Sequence, residues 1–546
     1  MKLWLKSMSA VLACVMLAGS MLVGCSKEPA QTPTPTSSGN VASTVEHKLK
    51  IMGSEDALPV FSWKTRDHFE VFKKIEELFA TENITLEYET IATEQYQVVI
   101  QTRMASGSKL PDIAQVSSMD NASVLALAQQ GISLPLNDAI KQFSNGNIDR
   151  MYTEIYPTAR KLTLAPDGEL YWFSSLHKNT YNGTQAAPFA LTVSYRKDWA
   201  DKLNIAEPAN LEQFSEMLRA FRTKDANGNG KQDEILNVIA DSFGNGVAQW
   251  FGLGTNLISY NPTTNKMVSP WYQTGIKEYF KYLRSLVEEK IIDASILGNT
   301  EMTNQRMAEN KIAATYEYAG ASWLEAGVTS VTDAEYQPLM PLSSVEGIVP
   351  AMVTEPPELV WDKFILTKTC TDIEGAIRFF DLIYSDEYAT LCKWGIEGQT
   401  FKMEDGHKVA ITFESDEKKA ELGYAAGYSI IAGILPKVQL GTLETDIDDA
   451  KSESKKDFLR KMITYSPSYP NDNGNFLAMP TDEESQTIQK YTTNLKTYSA
   501  ELCTKIVLGQ KSIDDMDQYI KEMQDLGLDK VLAVEQARLD RFNSNK

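Results

Sequence analysis

The ten residues Asp225-Ala226-Asn227-Gly228-Asn229-Gly230-Lys231-Gln232-Asp233-Glu234 gather three carboxylates and three carboxamides, two of the latter at Asn227 and Asn229. Oxygen donors recur at alternate positions ahead of Gly230, where a glycine permits a sharp turn. This is the spacing of the first half of an EF-hand loop. There, positions 1, 3 and 5 supply side-chain oxygens and position 7 a backbone carbonyl, here Asp225, Asn227, Asn229 and Lys231. The pattern departs from the full loop at position 12, which is Leu236 instead of a bidentate glutamate. A hard-oxygen donor set suits Ca²⁺ over Zn²⁺. The alternative is an Asn/Gly-rich turn without metal. If calcium binds, its part is structural, bracing the loop behind a helix over 211–223.

Other chemistry is thinly represented. The four histidines, His47, His68, His177 and His407, show no HExxH spacing, and neither GxSxG, a Walker A loop nor a dinucleotide fingerprint occurs in its required context. Gly244-Asn245-Gly246 and Gly252-Leu253-Gly254 read as loops. A glycosidase needs only two carboxylates at a set separation, which cannot be picked out among 73 acidic residues. A polysaccharide-degrading enzyme is therefore the remotest reading, and the chain is expected not to be an enzyme. Beyond Cys25 there are Cys370, Cys392 and Cys503, an odd count without CxxC. That excludes a disulfide framework and a thiolate metal site.

The amino terminus carries a second signal. Lys2 and Lys6 precede an apolar run from Ala10 to Val23, and Leu22-Val23-Gly24-Cys25 follows. Small residues directly before a cysteine resemble the lipobox of bacterial lipoproteins. The resemblance implies a signal peptide over 1–24 and a diacylglycerol thioether on Cys25 after cleavage. Two or three acyl chains hold a protein stably at a membrane, each buried CH₂ adding about 0.8 kcal/mol. The expected location is the extracytoplasmic face of the bacterial cell membrane, with membrane lipid as a partner through Cys25. Residues 26–46, rich in Ser, Thr and Pro, bury nothing and act with Cys25 as a tether reaching roughly 60 Å.

The rest has the composition of a globular protein: 43% hydrophobic residues, with 9 Trp, 23 Tyr and 20 Phe. Its length supports two or three domains. The net charge is −20, and loss of Lys2 and Lys6 with the signal peptide would make it −22. Nucleic acid and anionic surfaces are excluded as main partners.

The elements that must position these residues alternate. HKLKIM reads as a strand, and Val71, Phe72, Ile75, Leu78 and Phe79 share one helical face. Ile84, Leu86 and Tyr88 alternate with polar residues as in a second strand. A helix over 94–106, a strand in KLPDIAQV and a helix in SVLALAQQ ending at Gly131 follow. This β-α-β-α-β-α order predicts a doubly wound α/β lobe that binds ligands beyond the carboxyl ends of its strands. The expected divisions are a first lobe over 47–165, a second over 166–308, a return to the first over 309–358 through the strand KIAATYEY, and a mainly helical, largely second-lobe part over 359–546. No internal repeat is present.

The stretch YRKDWADKLNIAEPANLEQFSEMLRAFRTKDANGNGKQDEI (195–235) resembles the large extracellular solute-binding lipoproteins of bacterial ABC importers, particularly the alginate- and oligosaccharide-binding subgroup. WYQTGIKEYFKYLRSLVEEKIID (271–293), FFDLIYSDEYATLCKWGIEGQTF (379–401) and IVLGQKSIDDMDQYIKEMQDLGLDKV (506–531) are similar to the same family. The resemblance implies a two-lobed, type II periplasmic-binding-protein-like α/β fold. Its doubly wound lobes are joined by crossover hinge strands, close over an oligosaccharide and dock on permease subunits. A monomer fits such a tethered receptor. It also implies that Asp233 and Glu234, at loop positions 9 and 10, complete a calcium shell. Sugar sites combine aromatic platforms with carboxylates and amides. The resemblance points to Trp271, Trp394 and Glu397 as contacts, with Trp250 and Trp323 beside glycine-containing loops. Asp120 and Glu55 follow first-lobe strands at the ends expected to face a cleft. The runner-up functions are a receptor for a peptide or another small polar solute, and a ligand-sensing lipoprotein.

Overall fold

A computed structural model describes residues 45–55, 69–182, 184–187, 190–238, 242–294, 300–319, 322–356, 358–404, 406–411, 424–425, 428–429, 434–442, 452–471 and 476–544. The signal segment, Cys25 and the tether up to residue 44 lie outside these residues.

The chain begins β1 (His47–Glu55), β2 (Ile84–Ala92), β3 (Ile113–Gln115) and β4 (Phe173–Tyr181), with the two-residue β5 (Thr184–Gln185) folded back on β4. β6 (Ala190–Arg196) and β7 (Ile235–Asn237) precede a hairpin of β8 (Ser259–Asn261) and β9 (Lys266–Val268). Next come β10 (Ile312–Tyr318), β11 (Tyr336–Pro338), β12 (Met352–Thr354) and β13 (Glu358–Leu366). Two small hairpins follow, β14 (Phe401–Glu404) with β15 (His407–Ala410), and β16 (Tyr424–Ala425) with β17 (Tyr428–Ser429). β18 (Val438–Thr442) and β19 (Ser468–Pro470) complete the strands.

Two large sheets result. The first runs β18-β4-β13-β3-β1-β2, and the second β19-β12-β6-β10-β7 with β11 also on β6. In the first, β1 pairs in parallel with both β2 and β3, the product of β-α-β connections through the helices Glu70–Ala80 and Thr93–Ser106. The first of these helices buries Val71, Phe72, Ile75, Leu78 and Phe79, the face expected from its period. They join Leu49, Ile51 and Ile113 in one core with residues of the helices Ile373–Ile383 and Asp386–Lys393. The second core gathers Phe214, Met217, Leu218 and Phe221 from the helix Leu211–Thr223 with residues of the helices Ile276–Glu288, Asp482–Val507 and Met516–Asp525.

The α/β architecture and the helical C-terminal part agree with expectation, whereas sheet membership differs at three places. β4 belongs to the first sheet, although the second lobe was expected to open at residue 166. β10, expected to return to the first lobe, pairs antiparallel with β6 and parallel with β7 in the second. The strands that come back to the first sheet are β13 and β18. The C-terminal helices divide, those over 373–393 packing on the first core and those from 482 onward on the second. Apolar alternation states that a strand has a buried face but not which sheet it joins, because its pairing partners here lie far along the chain.

Candidate functional site

The strand directions define the site. In the first sheet β1, β2, β3, β4 and β18 are mutually parallel, and β13 and the two-residue β5 oppose them. In the second, β7, β10, β11, β12 and β19 run one way and β6 the other. The chain crosses from the carboxyl end of β4 to the amino end of β6, and from the carboxyl end of β12 through residues 355–357 to the amino end of β13. These two crossings therefore join the carboxyl-end edges of the two sheets, the edges at which doubly wound sheets bind ligands, and a third leads from β18 to β19.

On the second sheet's edge, one carboxylate ties three strands together. Glu355, directly after β12 and 6% exposed, accepts from the Tyr318 hydroxyl at the end of β10 (2.8 Å) and from the Asn471 carboxamide after β19 (2.9 Å). The Tyr318 backbone N–H donates to Glu317 Oε1 at 2.9 Å. Tyr316 lies against the 244–247 turn so closely that a Cβ on Gly246, which adopts φ +71°, would sit 2.7 Å from its ring. Burial pushes the Tyr316 phenol well upward, and Tyr318, Glu355 and Glu317 add to the shift.

On the first sheet's edge, Trp361 of β13 is half-buried and meets the His177 ring edge-on at 5.6 Å. Asp362 beside it has φ +55° where the β13–β4 register shifts, a bulge that re-aims the neighbouring side chains. Its carboxylate accepts from Ser175 Oγ at 2.7 Å. His177 is buried, with Nε2 2.7 Å from Asn179 Nδ2. Burial first, and the Lys393 charge second, lower its pKa to about 3. At the first residue of β13, Glu358 pairs with Lys178 at 3.1 Å, and the same ammonium donates to the Ile155 carbonyl at 2.7 Å.

The sequence-derived contact residues fare unequally. Trp271 is 0% exposed, its ring meeting Phe243 at 5.8 Å and its Nε1–H donating to Ser499 Oγ at 3.0 Å. Trp250 is 1% exposed and packs edge-on against Phe214 at 5.2 Å. Both belong to the second core, and neither offers a ring face to a ligand. Trp394 follows the helix Asp386–Lys393 and is covered by Phe401, centroids 6.1 Å apart. These three are corrected from platform to core: a tryptophan near a glycine loop gains more from complete burial than from exposure. Glu397 is exposed in the turn after Trp394. Asp120 comes after β3, and Glu55 is the last residue of β1, at the carboxyl-end edge. Asp120 is exposed and caps the helix Asn121–Gln129 by accepting from the Ser123 N–H at 2.7 Å. The side chains of Glu55 and of Trp323, in the helix Ser322–Gly327, lie outside the described ones.

Tyr316, Tyr318, Glu355, Asn471 and Trp361 were not anticipated. Alternating tyrosines at the end of KIAATYEY were a visible signal, once that strand's sheet is known. Glu355 and Asn471, 116 residues apart, left none.

The 225–234 turn is a separate feature. Asp225 (φ +50°), Gly228 (+74°) and Gly230 (+80°) bend it, and Asp225 Oδ2 accepts from the Gly230 N–H at 2.8 Å. The Asn229 N–H donates to Asn227 Oδ1 and the Lys231 N–H to Asn229 Oδ1. Both carboxamide nitrogens donate to Asp233 Oδ1, at 3.0 Å each. Glu234, 1% exposed, accepts from the Asn227 and Asp233 backbone N–H groups, yet burial still raises its pKa. Burial also pushes Asp233 up, but the two carboxamides and Lys311, 3.4 Å away, outweigh it and hold the group low. Among the described residues, no three His, Cys, Asp or Glu side chains are arranged to hold a metal ion. No helix among them is long and apolar enough to cross a membrane.

Comparison with known proteins gives this architecture a context. Residues 67–390 match the model of the bacterial extracellular solute-binding protein family. The chain is 24% identical over 562 residues to the fructooligosaccharide ABC transporter substrate-binding protein FusA of Streptococcus pneumoniae, covering 99% of each. It is 22% identical over 400 residues to the polygalacturonan/rhamnogalacturonan-binding protein YtcQ of Bacillus subtilis, covering 70% of this chain and 72% of that one. The fold is similar to that of FusA in complex with kestose, with a TM-score of 0.70 at 19% identity over 91% of this chain and 100% of that one. The alginate-binding protein AlgQ2, solved without calcium ion, gives 0.65 at 20% over 92% and 99%. FusA has also been solved as an EF-hand mutant.

Proposed function

The chain belongs to the bacterial extracellular solute-binding protein family, and from that premise we propose that it captures an oligosaccharide between its two sheets and delivers it to the permease of an ABC importer. The observation that carries this reading is the pair of carboxyl-end edges joined by the crossings, with half-buried aromatic residues on each. Trp361 on the first sheet and Tyr316 and Tyr318 on the second supply the apolar faces that sugar CH groups stack on. The end-to-end similarity, at 24% identity, to a fructooligosaccharide ABC transporter substrate-binding protein supports the ligand class. Closure about these crossings would bring the edges together on a bound chain, and a permease would distinguish the closed form. No bond is made or broken. Acylation of Cys25 would keep the monomer at the extracytoplasmic membrane face.

The 225–234 turn fits calcium in donor chemistry, with Asp225, Asn227, Asn229, Asp233, Glu234 and the Lys231 carbonyl as the oxygen set. The two carboxamides that donate to Asp233 would turn their oxygens toward the cation. Calcium would brace the turn and take no part in ligand capture.

A thermal-shift screen of the purified protein against oligosaccharides, with calcium present, tests the reading. A ligand at 100 times its Kd should add about 2.7 kcal/mol of stability. Recovery of the glycan intact supports a receptor, cleaved glycan would identify an enzyme, and stabilisation by peptides alone would replace the sugar.

A further inference from the structure

We infer that the far ends of two C-terminal helices form a catch between the lobes, with Met479 as a positioning residue that sets ligand affinity from a distance. The inference rests on the receptor reading above and adds to it a control on lobe motion. The helix Asp482–Val507 runs for 26 residues, roughly 39 Å. Its buried residues, Leu495 to Val507, all lie in its second half, where they join the second core or, as Ser499, hold Trp271 of that core. The helix Leu528–Ser544 lies antiparallel beside it, Lys530 donating to the Tyr491 hydroxyl and Arg541 pairing with Glu484. It sends Leu528, Val531 and Leu539 into the same core.

The opposite end of this pair touches the first lobe. Met479, just ahead of the first helix and 3% exposed, sits with Leu127, Trp172 and Ile365 in a first-lobe core. Leu477, two residues earlier, belongs to the second core. Asp482 accepts from Gln129 Nε2 at 3.2 Å, and the Lys161 ammonium lies 6.0 Å from the centre of the Phe542 ring. Arg541 holds both oxygens of Glu484, at 2.9 and 2.6 Å, and donates to the Met479 carbonyl at 2.9 Å. Arg538 donates to the Ala478 carbonyl, also at 2.9 Å. Met479 is thus tied to the second lobe by its backbone and to the first by its side chain.

Among the described residues, the grip is a methionine side chain, an exposed hydrogen bond and a cation–ring contact. It also lies well away from the crossings. Ile365 is seven residues along β13 from Glu358, where the 355–357 crossing enters, a span of roughly 23 Å. Turning one lobe by about 10° around that end would carry the catch roughly 4 Å, given this rise along the strand. A close-packed core does not admit a side chain driven deeper, so such a turn draws Met479 out. The catch therefore holds at one limit of the lobe motion and releases away from it. A ligand that favours one lobe angle is linked to it by that difference.

The test is titration calorimetry of the purified protein and its Met479→Ala, Met479→Leu and Gln129→Ala variants, with oligosaccharides from inulin, starch, polygalacturonate and alginate. Urea unfolding and small-angle X-ray scattering without sugar accompany it. Met479→Ala should shift the Kd of whichever glycan binds at least threefold, although the residue lies in a core. Gln129→Ala should shift it the same way by less, and Met479→Leu, which refills the site, should restore it. A tighter Kd places the catch at the open limit, a weaker one at the closed limit. An unchanged Kd beside a lowered urea midpoint would overturn the inference, reduce Met479 to core packing and leave the receptor reading standing. Failure of every glycan to bind the unaltered protein would overturn the receptor reading instead. The catch would then stand if Met479→Ala changes the radius of gyration, and fall if it does not.

Discussion

The 225–234 turn and the cluster around Glu355 are both built from carboxylates and carboxamides, yet their partners lie at opposite distances along the chain. In the turn, the side-chain hydrogen bonds of Asp225, Asn227, Asn229 and Glu234 span at most seven residues, with Lys311 pairing to Asp233 from farther along the chain. At the cluster, Glu355 reaches Tyr318 37 residues back and Asn471 116 residues on. Local bonds close with little loss of chain entropy and leave a motif in the sequence. Long-range bonds exist only because two sheets have already brought three strand ends together. Such clusters therefore test the tertiary structure, and the turn tests chiefly itself.

The largest effect should come from a long-range contact inside the core. Trp271→Ala empties a fully enclosed core site and removes a hydrogen bond to Ser499, and should cost about 3–5 kcal/mol in denaturant unfolding. Trp361→Ala, on a half-buried ring, should instead weaken oligosaccharide binding with a much smaller loss of stability. If Trp271→Ala left stability intact and abolished binding, the assignment of core and site tryptophans would be reversed.

Glu355→Ala strips the partner from two donors at the strand ends and should lower stability by about 1–3 kcal/mol. The Glu355→Ala/Tyr318→Phe double mutant should lose less than the sum of the single changes, since the two share one bond. Strict additivity in that cycle would mean that the cluster does not act as a unit.

His177 supplies a pH effect of definite sign. Its folded pKa is about 3 against an ordinary 6.5, so below pH 6.5 the unfolded chain binds a proton that the folded one does not. Stability conferred by the neutral ring is present above 6.5 and lost as pH falls toward 3, at up to about 1.4 kcal/mol per pH unit. Urea midpoints between pH 7 and 4.5 should fall less steeply for His177→Gln, and equal slopes would show that the ring becomes charged without penalty.

The smallest effect belongs to the local turn. With a Kd of about 10⁻⁴–10⁻³ M, millimolar calcium should add about 0.4–1.4 kcal/mol, removed by chelation and absent in Asp225→Ala. A melting temperature unmoved by chelation in the unaltered protein would reduce the turn to a metal-free loop.

The legible parts of this protein were those whose physics is short in range. The face Val71–Phe72–Ile75–Leu78–Phe79, the parallel pairing implied by alternating strands and helices, and the bend at Asp225–Gly230 all follow from neighbouring residues. Trp250 and Trp271 were misplaced because exposure depends on what distant chain segments cover a ring, and nothing near them names Phe214 or Ser499.

By itself, the sequence determined the α/β class, the family and the oxygen-rich turn, since periodicity, motif order and turn chemistry are carried by adjacent residues. Only the tertiary structure decided that β10 belongs with β6, that Trp361 rather than Trp271 stands at an edge, and that Glu355 joins Tyr318 to Asn471. Those outcomes depend on which strands pair and what they bury, and the free energy of pairing is set by partners far along the chain.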